Sequence, residues 1–392
     1  MIVKQKNENA PNIVPESGLD IVNSLKSKLK DASEKMGYAN IIITGKTGVG
    51  KSTLINSVFR ENLAITGSGR PITQQTKVIE KSGLPLRIYD TKGLELGKGT
   101  QEEIKSDIFN IIDDKLACGN KDEFIHAIWY CINTTSDRVE DEEINWIKKL
   151  TEQKNHNVPV ILVLTKTISK KKGIELKEYI ESQNINVSGI IPVLSSDYEI
   201  EFDDEVKSVK SFGLDKLVDV TLEVIPDSAK DAFINSQSVN LNLKIKRAKK
   251  WMAGFVAGNF ATGFVPIPFA DAPVLVASQV TMLARITVIF GIDMDKATIT
   301  AIVTALAGCS GATIAGKTIV SNLLKLIPGV GTVVGGLISG GTASLLTTAL
   351  GEAYIVILSK IARGEINRDS ITNAQLIEEM KSEFKEKLKK AK

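Results

Sequence analysis

The stretch GKTGVGKSTLIN, residues 45–56, follows directly on the apolar run ANIIIT of residues 39–44. No other part of the chain limits its fold as much. An apolar, β-branched run reads as a buried strand, and the glycine-rich turn must pass from it into a helix over Ser52–Arg60. Glycines let backbone N–H groups curl inward without Cβ clashes. GKTGVGKS fits the pattern GxxxxGK[ST], whose geometry is that of a phosphate cradle. Lys51 is placed to reach β- and γ-phosphates, Ser52 to offer its hydroxyl to Mg²⁺, and the helix to add its positive end. Gly45, Thr47, Gly48, Val49, Gly50 and Thr53 complete the cradle.

The surrounding pattern predicts an α/β fold with a mostly parallel six-stranded sheet. Strands are expected at Ala39–Thr44, Lys77–Lys81, Pro85–Tyr89, Ala127–Ile132, Val158–Leu164 and Ile190–Leu194. Amphipathic stretches lie between most of them, including Gln101–Leu116, Glu140–Gln153 and Glu175–Ser182. Such alternation gives right-handed βαβ units. Ligands of open parallel sheets bind at the carboxyl ends of the strands, and the remaining motifs fall at those ends. LRIYDTKG ends a strand on Asp90, a carboxylate suited to Mg²⁺, with Gly93 three residues on to meet a γ-phosphate. Between the two motifs lies GSGRPITQQTKVIE, where a threonine hydroxyl completing the metal shell would sense the γ-phosphate. Thr76 is the first choice for that role, and for catalysis with Lys51; Thr73 is the alternate.

These residues resemble a translation-factor-class GTPase of the Era-like group, over about residues 36–226. TGVGKSTLIN matches the family's phosphate loop, QQTK its switch threonine and DTKG its metal and γ-phosphate motif. The base-reading motif [NT]KxD is matched in part by Thr165 and Lys166, and the serine-containing loop by Ser195 and Ser196. The resemblance implies GTP and GDP as ligands, Mg²⁺ as cofactor and GTP hydrolysis as activity. Three departures stand out. Ile168 occupies the place of the base-reading aspartate, with Ser169 or Asp197 as candidate substitutes. Leu94 occupies the place of the water-orienting glutamine, so unassisted hydrolysis is expected to be slow. Gly48 stands where potassium-activated relatives carry asparagine. The combination points to a switch that needs an activating protein or a second copy of itself.

Composition changes near residue 250. Trp251–Ala270, Ala297–Gly316 and Leu326–Gly351 carry almost no charge, and each is long enough to cross a hydrocarbon core of about 30 Å. Five basic residues in KIKRAKKW, residues 244–251, precede them, as expected where a cytoplasmic segment meets an anionic leaflet. The runs are rich in Gly, Ala and Thr, which suits tight packing in a membrane and in a soluble helical hairpin alike. Segments VPIPFADAP, QVTMLARITVIFGID, LLKLIPGVGTVVGG and TALGEAY resemble the uncharacterised hydrophobic domain found behind many bacterial Era-like GTPases. The expected domains are an N-terminal amphipathic helix and tail (1–37), a GTPase domain (38–226), a basic linker (227–250), a hydrophobic helical domain (251–365) and a charged helix (366–392).

The net charge of +3 is too small to argue for nucleic acid. Cys118, Cys131 and Cys309 form no CxxC pair, which fits a reduced compartment, and His126 and His156 lack ligand-like spacing. The reading is a GTP-dependent switch at the cytoplasmic face of a membrane, peripheral or integral through residues 251–351. Its alternatives are a soluble cytoplasmic GTPase acting on RNA or the ribosome, and a nucleotide-binding structural module with little hydrolysis.

Overall fold

The computed structural model describes residues 18–59, 63, 68–71, 76–92, 98–135, 139–152, 157–202, 205–260, 267–268, 272–292, 337–338, 340–367 and 373–390. Two compact units divide the chain. One holds residues 33–244; the other holds the N-terminal helix up to Ala32 together with the chain from Ile245 onward.

In the first unit all six expected strands form, as β1 (Ala39–Gly45), β3 (Thr76–Glu80), β4 (Leu86–Thr91), β5 (Ala127–Asn133), β6 (Val160–Thr165) and β7 (Gly189–Pro192). A seventh, β2 (Ser68–Pro71), joins the edge, and the order is β2-β3-β4-β1-β5-β6-β7. Pairings from β4 through β1, β5 and β6 to β7 are parallel, whereas β2 and β3 run antiparallel. The sequence motif SGRP carries no apolar alternation, so β2 gave no signal; its partner's backbone recruits it.

Helices α2 (Lys51–Val58), α3 (Lys98–Ala117), α4 (Asp141–Thr151), α5 (Lys170–Ser182), α6 (Leu214–Val224) and α7 (Asp227–Ser236) flank the sheet. The central strand β5 explains why its run is apolar throughout. Ile128, Tyr130 and Ile132 join a core with Ile104 and Ile108 of α3 and Ile144 and Ile147 of α4. Trp129, on the alternate side, stacks on Phe59 at 5.8 Å and meets Phe233 of α7 edge-on at 6.4 Å. Strand period two thus sends alternate side chains into two separate cores. A hairpin of β8 (Tyr198–Phe202) and β9 (Glu205–Val209) stands outside the main sheet. Its charged sequence masks its alternation, and it was not expected.

In the second unit, α1 (Gly18–Glu34) is tied to α9 (Ala272–Phe290) by Arg285, whose Nη1 donates to Ala32 O at 3.1 Å. α8 (Leu241–Phe260) contains the boundary between units. α10 (Gly340–Ala362) packs on α9 through buried polar pairs, Thr287 with Tyr354 Oη at 2.6 Å and Gln279 with Thr347 at 3.5 Å. α11 (Asn373–Lys390) covers α10 with Leu376, Met380, Phe384 and Leu388. Lys360 of α10 is held by Glu379 and Glu383 of α11 at 2.8 and 3.0 Å. The uncharged run 297–316 and residues 326–336 lie outside the described residues.

Candidate functional site

The carboxyl ends of β1, β4, β5, β6 and β7 carry the motifs. Gly45 ends β1 with φ +140°, and a Cβ there would sit 2.3 Å from Cys131 O of β5. Only glycine allows the loop to leave the sheet at that point. Gly50, at φ +102°, precedes α2 and caps it with no side chain, so the helix's first N–H groups point into the loop. Ser52 and Thr53 are exposed on the first turn. Lys51 Nζ donates to Gly45 O at 3.0 Å and Lys46 O at 3.3 Å, which folds its stem back over the loop. Burial lowers the Lys51 pKa below the ordinary lysine value, and the nearby Asp90 carboxylate opposes that shift.

Asp90 stands at the end of β4 with a nearly buried side chain. Its Oδ2 lies 3.4 Å from Lys77 Nζ, and its buried Oδ1 accepts no hydrogen bond. A buried carboxylate oxygen without a donor costs free energy unless a cation or water fills the place. That oxygen is the observation that fits a divalent metal beside the phosphate loop.

Thr76 is buried at the start of β3, paired across to Thr91, and its hydroxyl hydrogen-bonds the Asp107 carboxylate of α3. A metal-binding role for Thr76 therefore requires it to leave Asp107. Thr73, Gly93 and Leu94 lie outside the described residues.

At the end of β6, Thr165 is 1% exposed, and its hydroxyl donates to Val49 O at 2.6 Å. Its hydroxyl is committed to the phosphate loop rather than facing a base. Lys166 follows at φ +54°, and its stem lies near Gly50: Cε would be 3.7 Å from a Cβ there. Such a left-handed lysine is rare, and here the turn presents its stem above the loop. Ile168 is half-buried and supplies no acceptor. The two substitutes expected for the missing aspartate are occupied elsewhere. Ser169 caps α5, accepting from Lys172 N at 3.4 Å. Asp197 accepts from Lys210 Nζ at 2.7 Å and Ser211 N at 2.8 Å, which closes the β8–β9 hairpin. Ser195 and Ser196 lie in the open loop after β7.

The sequence gave no hint of Lys46, whose partners lie far along the chain: Nζ is 2.9 Å from both Glu140 and Glu143. The only signal was the acidic run EDEE opening α4 opposite a lysine in the loop.

A parallel sheet with a glycine-rich phosphate loop after β1, a lysine and hydroxyl opening α2, and an orphaned carboxylate on β4 defines a P-loop nucleotide hydrolase. Comparison narrows the class. Residues 40–166 match the family profile described as 50S ribosome-binding GTPase, and residues 231–385 match a domain of unknown function (DUF697). The chain thus carries a P-loop GTPase domain, which binds GTP and GDP and hydrolyses GTP, followed by that uncharacterised helical domain. Over 91 residues it is 35% identical to translocase of chloroplast 108 of Physcomitrium patens, covering 22% of this chain and 9% of that protein. It is 25% identical over 231 residues to the tRNA modification GTPase MnmE of Desulforamulus reducens, covering 55% of this chain and 42% of that protein. The chain therefore spans less than half the length of either relative. Among solved structures, a probable GTP-binding protein engB aligns with a TM-score of 0.32 at 21% identity, over 47% of this chain and 98% of that one.

Proposed function

We propose that the protein is a GTP-hydrolysing switch whose nucleotide state controls how its helical domain meets an anionic membrane surface. The observation that carries this reading is one face of α8. Lys246, Lys249, Lys250, Ala253, Gly254, Ala257 and Gly258 are all exposed and recur at helical spacing, so they form a single stripe. Its first half is cationic and its second half apolar, with Trp251 stacked on Phe255 at 5.0 Å beside the junction. Charge drawn to lipid headgroups, followed by apolar surface and an aromatic pair, is the chemistry of an interfacial helix.

At the nucleotide, Lys51 and the loop N–H groups of Gly45–Thr53 bind the phosphates, and Thr165 holds the loop through Val49. The Lys166 stem and the loop of Ser195 and Ser196 flank the base. Ser52 and Asp90 would hold Mg²⁺, which when bound neutralises phosphate charge and draws in Thr76 and Gly93. Thr76 then exchanges the Asp107 carboxylate for the metal, and β3 and α3 part at that contact. A nucleotide moves this equilibrium only by its different affinity for the two arrangements. A second copy or an activating protein supplies what Leu94 cannot.

The test is co-sedimentation with phosphatidylglycerol-rich vesicles in GDP and in a non-hydrolysable GTP analogue. Binding is expected to differ between the two states, and Thr76→Ala is expected to erase the difference while retaining GDP. Reversing Lys246, Lys249 and Lys250 to glutamate is expected to abolish vesicle binding. Equal binding in both nucleotide states, or full binding by the charge-reversed variant, overturns the reading.

A further inference from the structure

Lys46 is a charged residue of the phosphate loop that the binding of nucleotide, as argued above, leaves without a role. Its ammonium is pinned between two carboxylates of α4, Glu140 Oε2 and Glu143 Oε2, each at 2.9 Å. Glu143 is only 7% exposed, and its second oxygen accepts from Tyr130 Oη at 3.2 Å. Tyr130 is fully buried on β5, in register with Thr44, the residue just before the loop. A chain of contacts therefore runs from the sheet through Tyr130 and Glu143 to Lys46. Burial lowers the Lys46 pKa, but the hydrogen bonds to Glu140 and Glu143 outweigh it, so the lysine stays charged.

One ammonium and two carboxylates leave the cluster with a net negative charge. Such a cluster repels phosphate, so Lys46 is not there to attract nucleotide. Its geometry is that of a fastening. Glu140 and Glu143 lie three residues apart on the first turn of α4, where the helix dipole favours them. Both face one loop residue.

We propose that Lys46 is a positioning residue that fastens the phosphate loop to the first turn of α4, so that the placement of this turn sets how tightly the loop holds nucleotide. A partner or second copy that shifts the start of α4 would thereby loosen the loop and speed exchange. This inference rests on the phosphate-loop reading of residues 45–52.

The experiment is the release rate of fluorescent GDP in excess Mg²⁺, for wild type, Lys46→Met, Glu143→Gln and the double variant. Each single change is expected to speed release about 10- to 100-fold, the scale of one charged hydrogen bond. The double variant is expected to be no faster than the faster single, because both break the same fastening. Lys46→Arg is expected to bring release back within about threefold of wild type, one bond's charge and reach being kept. If Glu143→Gln slows release, Lys46 acts on the phosphates directly and the proposal is wrong. Multiplying effects in the double variant, or wild-type rates throughout, also overturn it. If the Glu143 and Lys46 variants fail to fold, Glu140→Gln decides, since that carboxylate is half exposed: several-fold faster release supports the fastening and an unchanged rate sinks it. A wild-type protein that binds no GDP would instead refute the phosphate loop itself, which separates the two failures.

Discussion

At the scale of single residues, Lys51 and His126 carry the sharpest expectations. Lys51→Ala removes a charge-assisted contact to the phosphates, worth about 1.5–3 kcal/mol for one bond and more where several converge. Isothermal titration is expected to show no nucleotide binding, and retained affinity would refute the loop assignment. His126 answers to pH. Its Nδ1 accepts from Asn40 N at 3.0 Å, and burial holds its pKa down to about 4. In the unfolded chain a histidine titrates near 6.5. As pH falls from about 6.5 toward 4 the unfolded state takes up the proton first, so the native state loses up to roughly 3 kcal/mol. Above about pH 6.5 that stability is fully present. His126→Asn keeps an acceptor near Nδ1 but cannot titrate, so urea melts at pH 7.5 and 4.5 are expected to differ less for the variant. An identical difference for the two proteins would show that the buried imidazole is not the source.

At the scale of elements, the turn from β6 into α5 decides base choice. Thr165 is committed to Val49, Asp197 to its hairpin and Ser169 to its helix, so no described carboxylate takes over from the absent aspartate. A missing bidentate acceptor costs about 1–3 kcal/mol of discrimination. GTP is therefore expected to be preferred over ATP by only about 5- to 150-fold. Ile168→Asp is expected to raise that ratio at least about tenfold. Competition titrations giving many thousandfold for the wild type would mean that another group reads guanine. The same turn shows how far an element can be read in advance. Strand β6 was plain from VILVLT, but the left-handed Lys166 was not, because φ +54° at a lysine is imposed by its surroundings. Strand β2 and the β8–β9 hairpin were equally hidden, since their polar residues give no period-two pattern.

At the scale of the whole molecule, the open question was whether the hydrophobic residues face lipid or one another. Among the described residues one stretch, Ser344–Ala362, is long and apolar enough to span a bilayer, and 61% of it is buried within the fold. α9 meets it through hydroxyl pairs, and α11 covers it with an amphipathic face anchored by Lys360, Glu379 and Glu383. A helix clothed by a charged amphipathic partner is dressed for a protein core, not for hydrocarbon. Protein bound to membranes is accordingly expected to be released by an alkaline carbonate wash. Retention in the pellet would mean that the helical region opens and inserts.

The sequence by itself determined what depends on neighbours along the chain. The phosphate loop, the alternation of strands and helices, the orphan role for Asp90 and the change of composition near residue 250 are all local in that sense. Each follows from glycine freedom, side-chain period or charge density over a short window. Tertiary structure alone decided which polar group meets which. Lys46 finds Glu140 from 94 residues away, and Thr165 finds Val49 from 116. Thr76 takes Asp107 as partner, and Asp197 turns from the base to its own hairpin. Such pairings depend on how strands register and where helices land, and no short window of sequence contains both partners.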